Sequence, residues 1–353
     1  MQRMIGMNAK EKKTRKGLLV ALIVIILAGV FVPIPYYIEG PGSAVKLNEL
    51  VEVDNKKDPE DGHFMLTTVA VRRATPFTYF MKYLPFHEGL TTEELFGTNT
   101  SDAEYTNLQN YYMTSSINAA IEQAYEAAGE KYQLTYNGVY IMSILEKSDF
   151  EDKLEIGDTI LSLDGQSFDS SSEFIDYVQQ QKVGQVIEVT YERNGEQQTT
   201  SGKLMEMEET KKAGLGISLV DNTSIETDIP VSINAGEIGG PSAGFMFALQ
   251  IYTQLMDEDL RKGNEIAGTG TMQPDGTIGR IGGIDKKIVA ASEEGATIFF
   301  APDDTIDPVI QKNYPEMKSN YQEALDAAKK IDTDMKIVPV KTFQDAIDYL
   351  KNL

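Results

Sequence analysis

The stretch GEIGGPSAGFMFALQIY, from Gly236 to Tyr252, constrains this chain more than any other. From Phe245 to Leu255 it is predominantly apolar, which predicts a helix buried in a core rather than lying on a surface. Pro241 suits the first helical position, where a missing N–H costs nothing. Ser242 then falls in the first turn, beside unpaired backbone N–H groups and the positive end of the helix dipole. Gly239, Gly240 and Gly244 leave room for a carbonyl to approach. Backbone N–H groups at Gly239, Gly240 and Ser242 are the candidate oxyanion donors, of a kind whose removal costs roughly 3–4 kcal/mol. Taken alone, the motif fits a nucleophilic serine and a serine that merely caps a helix equally well.

A serine nucleophile needs a base, and the usual one is scarce. The 353 residues include two histidines, His63 and His87, and no cysteine. Disulfides, thiolate metal sites and a cysteine lipid anchor are excluded, and a histidine zinc site is not expected. We expect neither metal nor cofactor. The net charge of −22 argues against nucleic acid as a partner. The apolar content of 41% suffices for packed cores, and the length allows two ordinary domains and more.

Charge is distributed unevenly. Arg3, Lys10, Lys12, Lys13, Arg15 and Lys16 crowd a basic tail over 1–16, and residues 17–38, GLLVALIVIILAGVFVPIPYYI, carry no charge. As a helix that segment would reach about 33 Å, enough for a hydrocarbon core of ~30 Å, so it predicts one transmembrane helix. Pro33 and Pro35 would end it, and Tyr36 and Tyr37 would sit at the interface. The basic flank places the N-terminus in the cytoplasm and the rest of the chain outside the cell membrane. The run is longer than the apolar part of a cleaved signal peptide.

Residues 39–61 read as a linker. From 62 to 130, HFMLTTVAV predicts a strand and TSSINAAIEQAYEAAG a helix, with loops and short helices between Pro76 and Tyr112. Phe77, Tyr79 and Phe80 suit either core or contact, and Arg72 and Arg73 a solvated pair. Over 131–206 the texture changes: YNGVYIMSIL and DTILSLDG read as strands and SSSEFIDYVQQQ as a serine-capped helix. QVIEVTYERNG alternates and stops at a hairpin signal, Asn194-Gly195. The phrase LEIGDTILSLDG in this order resembles a PDZ domain, which accepts a peptide as an added strand. The resemblance implies that Asn137, Gly138, Val139, Tyr140 and Ile141 offer backbone groups to that peptide. Over 207–353 strands alternate with helices, the mark of an α/β domain.

The segment AGTGTMQPDGTIGRIGGIDKKIVAA supplies the missing partner. Together with GGPSAG it resembles the proteolytic domain of Lon-family proteases, which pair a serine in D-G-P-S-A-G with a lysine in G-G-x-K-E-K-x-x-A-A. The resemblance implies Ser242 as nucleophile, Lys287 as base and Thr269 in support. There are departures from the family: Gly239 and Asp285 replace an acid and a lysine, and Thr271 stands where the family has glutamate. A lysine acts as a base only when neutral, and lowering its reference pKa of ~10.4 by about three units costs on the order of 4 kcal/mol. Burial and a place in the first turn of the DKKIVAA helix both work in that direction.

MLTTVAV and the alanine-rich helix also look like the opening of a Lon protease domain, so the expected fold is an α/β Lon-type proteolytic domain with an inserted β-rich PDZ domain, preceded by the transmembrane helix. No G-x-x-x-x-G-K-[ST] motif occurs, and neither ATP nor an unfolding motor is expected. The order of parts resembles the membrane-anchored Lon-like proteases of Gram-positive bacteria, in particular the streptococcal SepM type, which trims secreted competence-signalling peptides. The resemblance implies a membrane-anchored extracellular serine endopeptidase that cuts short or flexible peptides. The alternative is a non-catalytic PDZ adaptor. Oligomeric assembly is left open.

Overall fold

The computed structural model describes residues 9–96, 102–236 and 238–353. Its larger sheet has six strands in the order Lys336–Val340, Ile298–Pro302, Glu265–Gly268, His63–Arg73, Tyr36–Lys46 and Glu88–Thr91. The first four run parallel and the last two join antiparallel. Alternation along each strand feeds two cores. Phe64, Leu66, Ile266 and Phe300 face helices Asp102–Ala128, Gly244–Met256 and Phe343–Lys351. Met65, Ala267, Phe299 and Ala301 face helices Ile284–Glu293 and Asn320–Lys330. A parallel sheet covered on both faces needs continuously apolar strands, and Ile298–Pro302 is buried at every position. Helix Gly244–Met256 is buried without a break from Gly244 to Thr253, as its lack of a polar face requires.

The second sheet is wholly antiparallel, in the order Ile217–Thr227, Tyr132–Ile144, Thr159–Leu163, Val186–Arg193, Glu196–Lys203. Asn194 (φ 53°) and Gly195 (φ 80°) are both left-handed, which is what a tight two-residue hairpin turn demands. Helix Ser171–Gln179 starts at Ser170, whose Oγ accepts the Glu173 N–H at 3.2 Å, and buries Phe174 and Val178 on the sheet. This unit reaches Thr227, past the boundary expected at 206. Strands from both sides of it, His63–Arg73 before and Glu265–Gly268 after, pair directly in the larger sheet.

Three expectations are corrected. Among the described residues no helix is long and apolar enough to cross a membrane. The first helix, Ala9–Phe31, is uncharged only from Gly17, which leaves about 22 Å of apolar helix against the ~30 Å required. The chain then leaves the helix: Ile34 donates to the Ala74 carbonyl at 2.8 Å, and Tyr36 and Tyr37 enter the larger sheet rather than an interface. The part of the basic tail before Ala9 lies outside the described residues. Second, the expected linker is structural. Tyr36–Lys46 pairs on both edges, its Gly40-Pro41-Gly42 run taken up by a bulge between Pro41 and Ala44. Third, the helix expected to begin near Thr114 begins at Asp102.

A buried ion pair fastens the far end of the Gly244–Met256 helix. Arg261, fully buried, grips the Asp58 carboxylate with both terminal nitrogens, Nη2 to Oδ1 at 3.0 Å, while Gln250 Nε2 donates to Oδ2 at 2.7 Å. Asp58→Ala strands the guanidinium and should cost about 3–5 kcal/mol in urea unfolding. Asp58→Leu with Arg261→Met, which removes both charges, should cost distinctly less.

Candidate active site

Two layers that never touch through the sheet meet at its end. The parallel strand Glu265–Gly268 stops, and the next residue, Thr269, lies between the start of the Gly244–Met256 helix on one face and the start of Ile284–Glu293 on the other. Ends of parallel strands, where neighbouring helices diverge, are where such sheets leave space for chemistry.

Ser242 stands in the single turn Pro241–Ala243 that opens into the long buried helix. Gly240 enters that turn at φ 89°, a conformation that favours glycine. The turn is clamped from two sides. Gly270 N donates to the Ser242 carbonyl at 2.9 Å, and Phe245 N to the Gly270 carbonyl at 3.2 Å. From helix Asp102–Ala128, Ser116 Oγ donates to the Pro241 carbonyl at 2.9 Å, and the Gln109 carbonyl accepts the Gly240 N–H at 3.2 Å. Of the three expected oxyanion donors, Gly240 is therefore already engaged.

Lys287 comes from the opposite layer. It is the fourth residue of helix Ile284–Glu293, after Gly283, whose φ of 65° turns the chain into the helix. Its amine lies 2.7 Å from Ser242 Oγ and 2.9 Å from Thr269 Oγ1, and the residue is 3% exposed. Thr269, fully buried, donates its hydroxyl hydrogen to the Ser242 carbonyl at 3.1 Å. A hydroxyl has one hydrogen, so Thr269 Oγ1 can only accept from Lys287. The neutral amine thus spends one N–H on Thr269 and can turn its lone pair to the Ser242 hydroxyl. Burial pushes the Lys287 amine down to about 7, with Glu39 working weakly the other way. Neither histidine competes: His63 Nδ1 is 2.7 Å from Glu265 and His87 Nδ1 is 2.9 Å from the Pro85 carbonyl. Among the described residues no group of acids and histidines is placed to hold a metal.

The residues expected to offer backbone groups to a peptide lie within a sheet. Asn137 to Ile141 lie inside strand Tyr132–Ile144, paired with Ile217–Thr227 on one edge and, at Val139 and Tyr140, with Thr159–Leu163 on the other. Their backbone groups serve the sheet. Gly138 is glycine because a Cβ there would meet the Ile160 carbonyl oxygen at 2.4 Å. The strand on the edge beside Tyr132–Ile144 is Ile217–Thr227, and Glu196–Lys203 forms the opposite edge. Ile217 and Leu219 line a groove of about 890 Å³ with Phe174, Ile175 and Val178 of the facing helix. The signal that sequence reasoning missed is Gly214-Leu215-Gly216-Ile217, a glycine turn with Gly216 at φ 75° that delivers the edge strand to the groove.

Known proteins resemble this chain in two parts. The profile of the PDZ domain matches residues 115–204, and that of the Lon protease (S16) C-terminal proteolytic domain matches 186–350. The overlap, 186–204, belongs in space to the antiparallel sheet. A Lon protease of Metamycoplasma arthritidis is 30% identical over 37% of this chain and 13% of its own length. The peroxisomal Lon protease homolog 2 of Caenorhabditis briggsae is 31% identical over 35% of this chain and 14% of its own. The chain thus spans less than a fifth of the length of these curated relatives. Among solved structures, the PDZ domain of an SdrC-like protein from Listeria monocytogenes is 38% identical, covering 25% of this chain and 93% of that one, with a TM-score of 0.24. By the two profile matches, residues 115–350 thus hold a PDZ domain and a Lon protease C-terminal proteolytic domain.

Proposed function

We propose that the chain is a serine endopeptidase in which Ser242 attacks a peptide carbonyl and Lys287 takes its proton. The observation that carries this reading is the 2.7 Å contact between Ser242 Oγ and a buried amine that Thr269 holds by a different hydrogen. As Oγ bonds to the scissile carbon, its proton passes to Nζ. The oxyanion lies against the N–H groups that open the Gly244–Met256 helix, with Gly239 and Ser242 as donors. The ammonium then returns its proton to the leaving amine, and a water molecule deprotonated by Lys287 releases the acyl group.

The substrates on this reading are short or flexible peptides, since the open edge at Ile217 binds extended chain by strand addition. Secreted signalling peptides, cut outside the cell, are the class and place implied by the resemblance in domain order.

The test is cleavage of a fluorogenic peptide panel, secreted-type sequences included, with and without ATP. Ser242→Ala and Lys287→Met should each lose at least ~100-fold in kcat/KM. Thr269→Val should lose about tenfold or more by freeing the amine to rotate. ATP should change nothing. Peptide binding to the groove with no turnover from the wild-type chain would leave an adaptor instead.

The activity should rise through a limb near pH 7 as Lys287 loses its proton. The same burial carries a stability cost with a definite sign. Unfolded Lys287 binds its proton up to the ordinary lysine range, whereas the folded amine has lost it above about 7, so the unfolded state holds more protons between those values and stability rises with pH there. Lys287→Met should therefore stabilise the chain at pH 6, by up to about 5 kcal/mol, and the gain should shrink toward pH 10. Urea unfolding at the two pH values reads this directly.

A further inference from the structure

A neutral base is endangered by any free carboxylate beside it, and Glu39 brings a carboxylate there. Glu39 extends from strand Tyr36–Lys46, opposite Glu88 in register, with its side chain 15% exposed. Its field acts on Lys287 in the direction of the ammonium form. Gly283 allows the close approach: a Cβ at that position would lie 3.0 Å from Glu39 Oε1. An unpaired carboxylate there would keep the amine protonated.

Lys286, the neighbour of the base, meets that carboxylate. Its Nζ is 3.2 Å from Glu39 Oε1, 3.3 Å from Glu88 Oε1 and 3.6 Å from Asp285 Oδ1, and its side chain is 6% exposed. Although burial opposes it, Asp285, Glu39 and Glu88 together hold the Lys286 ammonium above the ordinary lysine range. Several other charges on the packed elements have partners of their own. On helix Asn320–Lys330, Glu323 pairs with Arg280, Asp326 with Lys318, and Lys330 lies over the Phe86 ring at 4.5 Å. On strand His63–Arg73, His63 pairs with Glu265, and Arg72 and Arg73 are exposed. Tyr105 of the long helix faces Glu39 as a neutral phenol, its ionisation disfavoured by burial and by that carboxylate.

We infer that Lys286 is a positioning residue for the proposed base: it binds Glu39 in an ion pair, so that Lys287 is left with hydroxyl partners and no free anion. The inference rests on the Ser-Lys reading above. It assigns the second lysine of the pair a duty distinct from that of a solvated surface charge.

The experiment has two readouts on the full chain. One is the pH profile of kcat/KM; the other is NMR titration of the ¹³Cε resonance of Lys287, assigned by its loss in Lys287→Met. In Lys286→Met both should move about one pH unit upward, with about tenfold less activity below the limb. Lys286→Arg should keep the wild-type position, and Glu39→Gln combined with Lys286→Met should restore it. Glu39→Gln alone, which serves if Lys286→Met does not fold, should move both readouts downward. A Lys286→Met chain with an unmoved limb and unmoved resonance, or a Glu39→Gln chain with both unmoved, overturns the inference and leaves the Ser-Lys reading intact. A wild-type Lys287 resonance that does not titrate near neutrality overturns both.

Discussion

The structure turns on one buried amine. Lys287 is shut away from water where its helix meets the end of a parallel strand, and burial there works against its proton. Burial favours the neutral form, but an unoriented neutral amine is a poor partner for a serine. Thr269 supplies the orientation, because its single hydrogen is committed to the Ser242 carbonyl. That carbonyl also accepts from Gly270. The residue that carries the hydroxyl is thus held by the same threonine that holds the amine, and a shift in one is a shift in the other.

Helix Asp102–Ala128 extends this economy to the PDZ unit. On one side it supports the serine turn through Gln109 and Ser116. On another, Tyr111 stacks on Tyr140 at 4.1 Å and donates to the Asp221 carbonyl at 2.7 Å, while Asn118 donates to the Thr223 carbonyl at 2.8 Å. Asp221 and Thr223 belong to the edge strand whose first residues line the groove beside helix Ser171–Gln179. One helix therefore sits against both the strand that would receive a peptide and the turn that would cut one. This contiguity is a physical route for coupling, and its strength is a matter of free energy rather than of contact.

What the sequence disclosed is what local chemistry encodes. Pro241, Ser242 and the apolar run that follows specify a buried helix start, and Asn194-Gly195 specifies a hairpin, because each rests on backbone preferences of neighbouring residues. What it concealed is set by partners distant in sequence. Residues 39–46 looked like part of a linker because Gly40-Pro41-Gly42 breaks any strand pattern, and only pairing with the distant strand His63–Arg73 makes them a strand. The apolar stretch after Gly17 looked long enough to span a bilayer because composition does not show where the helix gives way to a sheet. The groove was misplaced for a related reason. Tyr132–Ile144 and Ile217–Thr227 are both good strands, and which one has a free edge depends on the order of the sheet.

Glu39 shows how far that dependence reaches. Nothing near it in sequence marks an active-site residue, and its strand was read as a tether. Yet antiparallel pairing with His63–Arg73 carries it to the start of the Ile284–Glu293 helix, where a positive dipole end and Lys286 both favour a carboxylate. The segment between the first helix and the core is therefore part of the electrostatics of the site. A chain cut at residue 40 to simplify expression would remove Glu39 and half of a paired strand together. Its behaviour would then report on a damaged sheet as much as on the chemistry at Ser242.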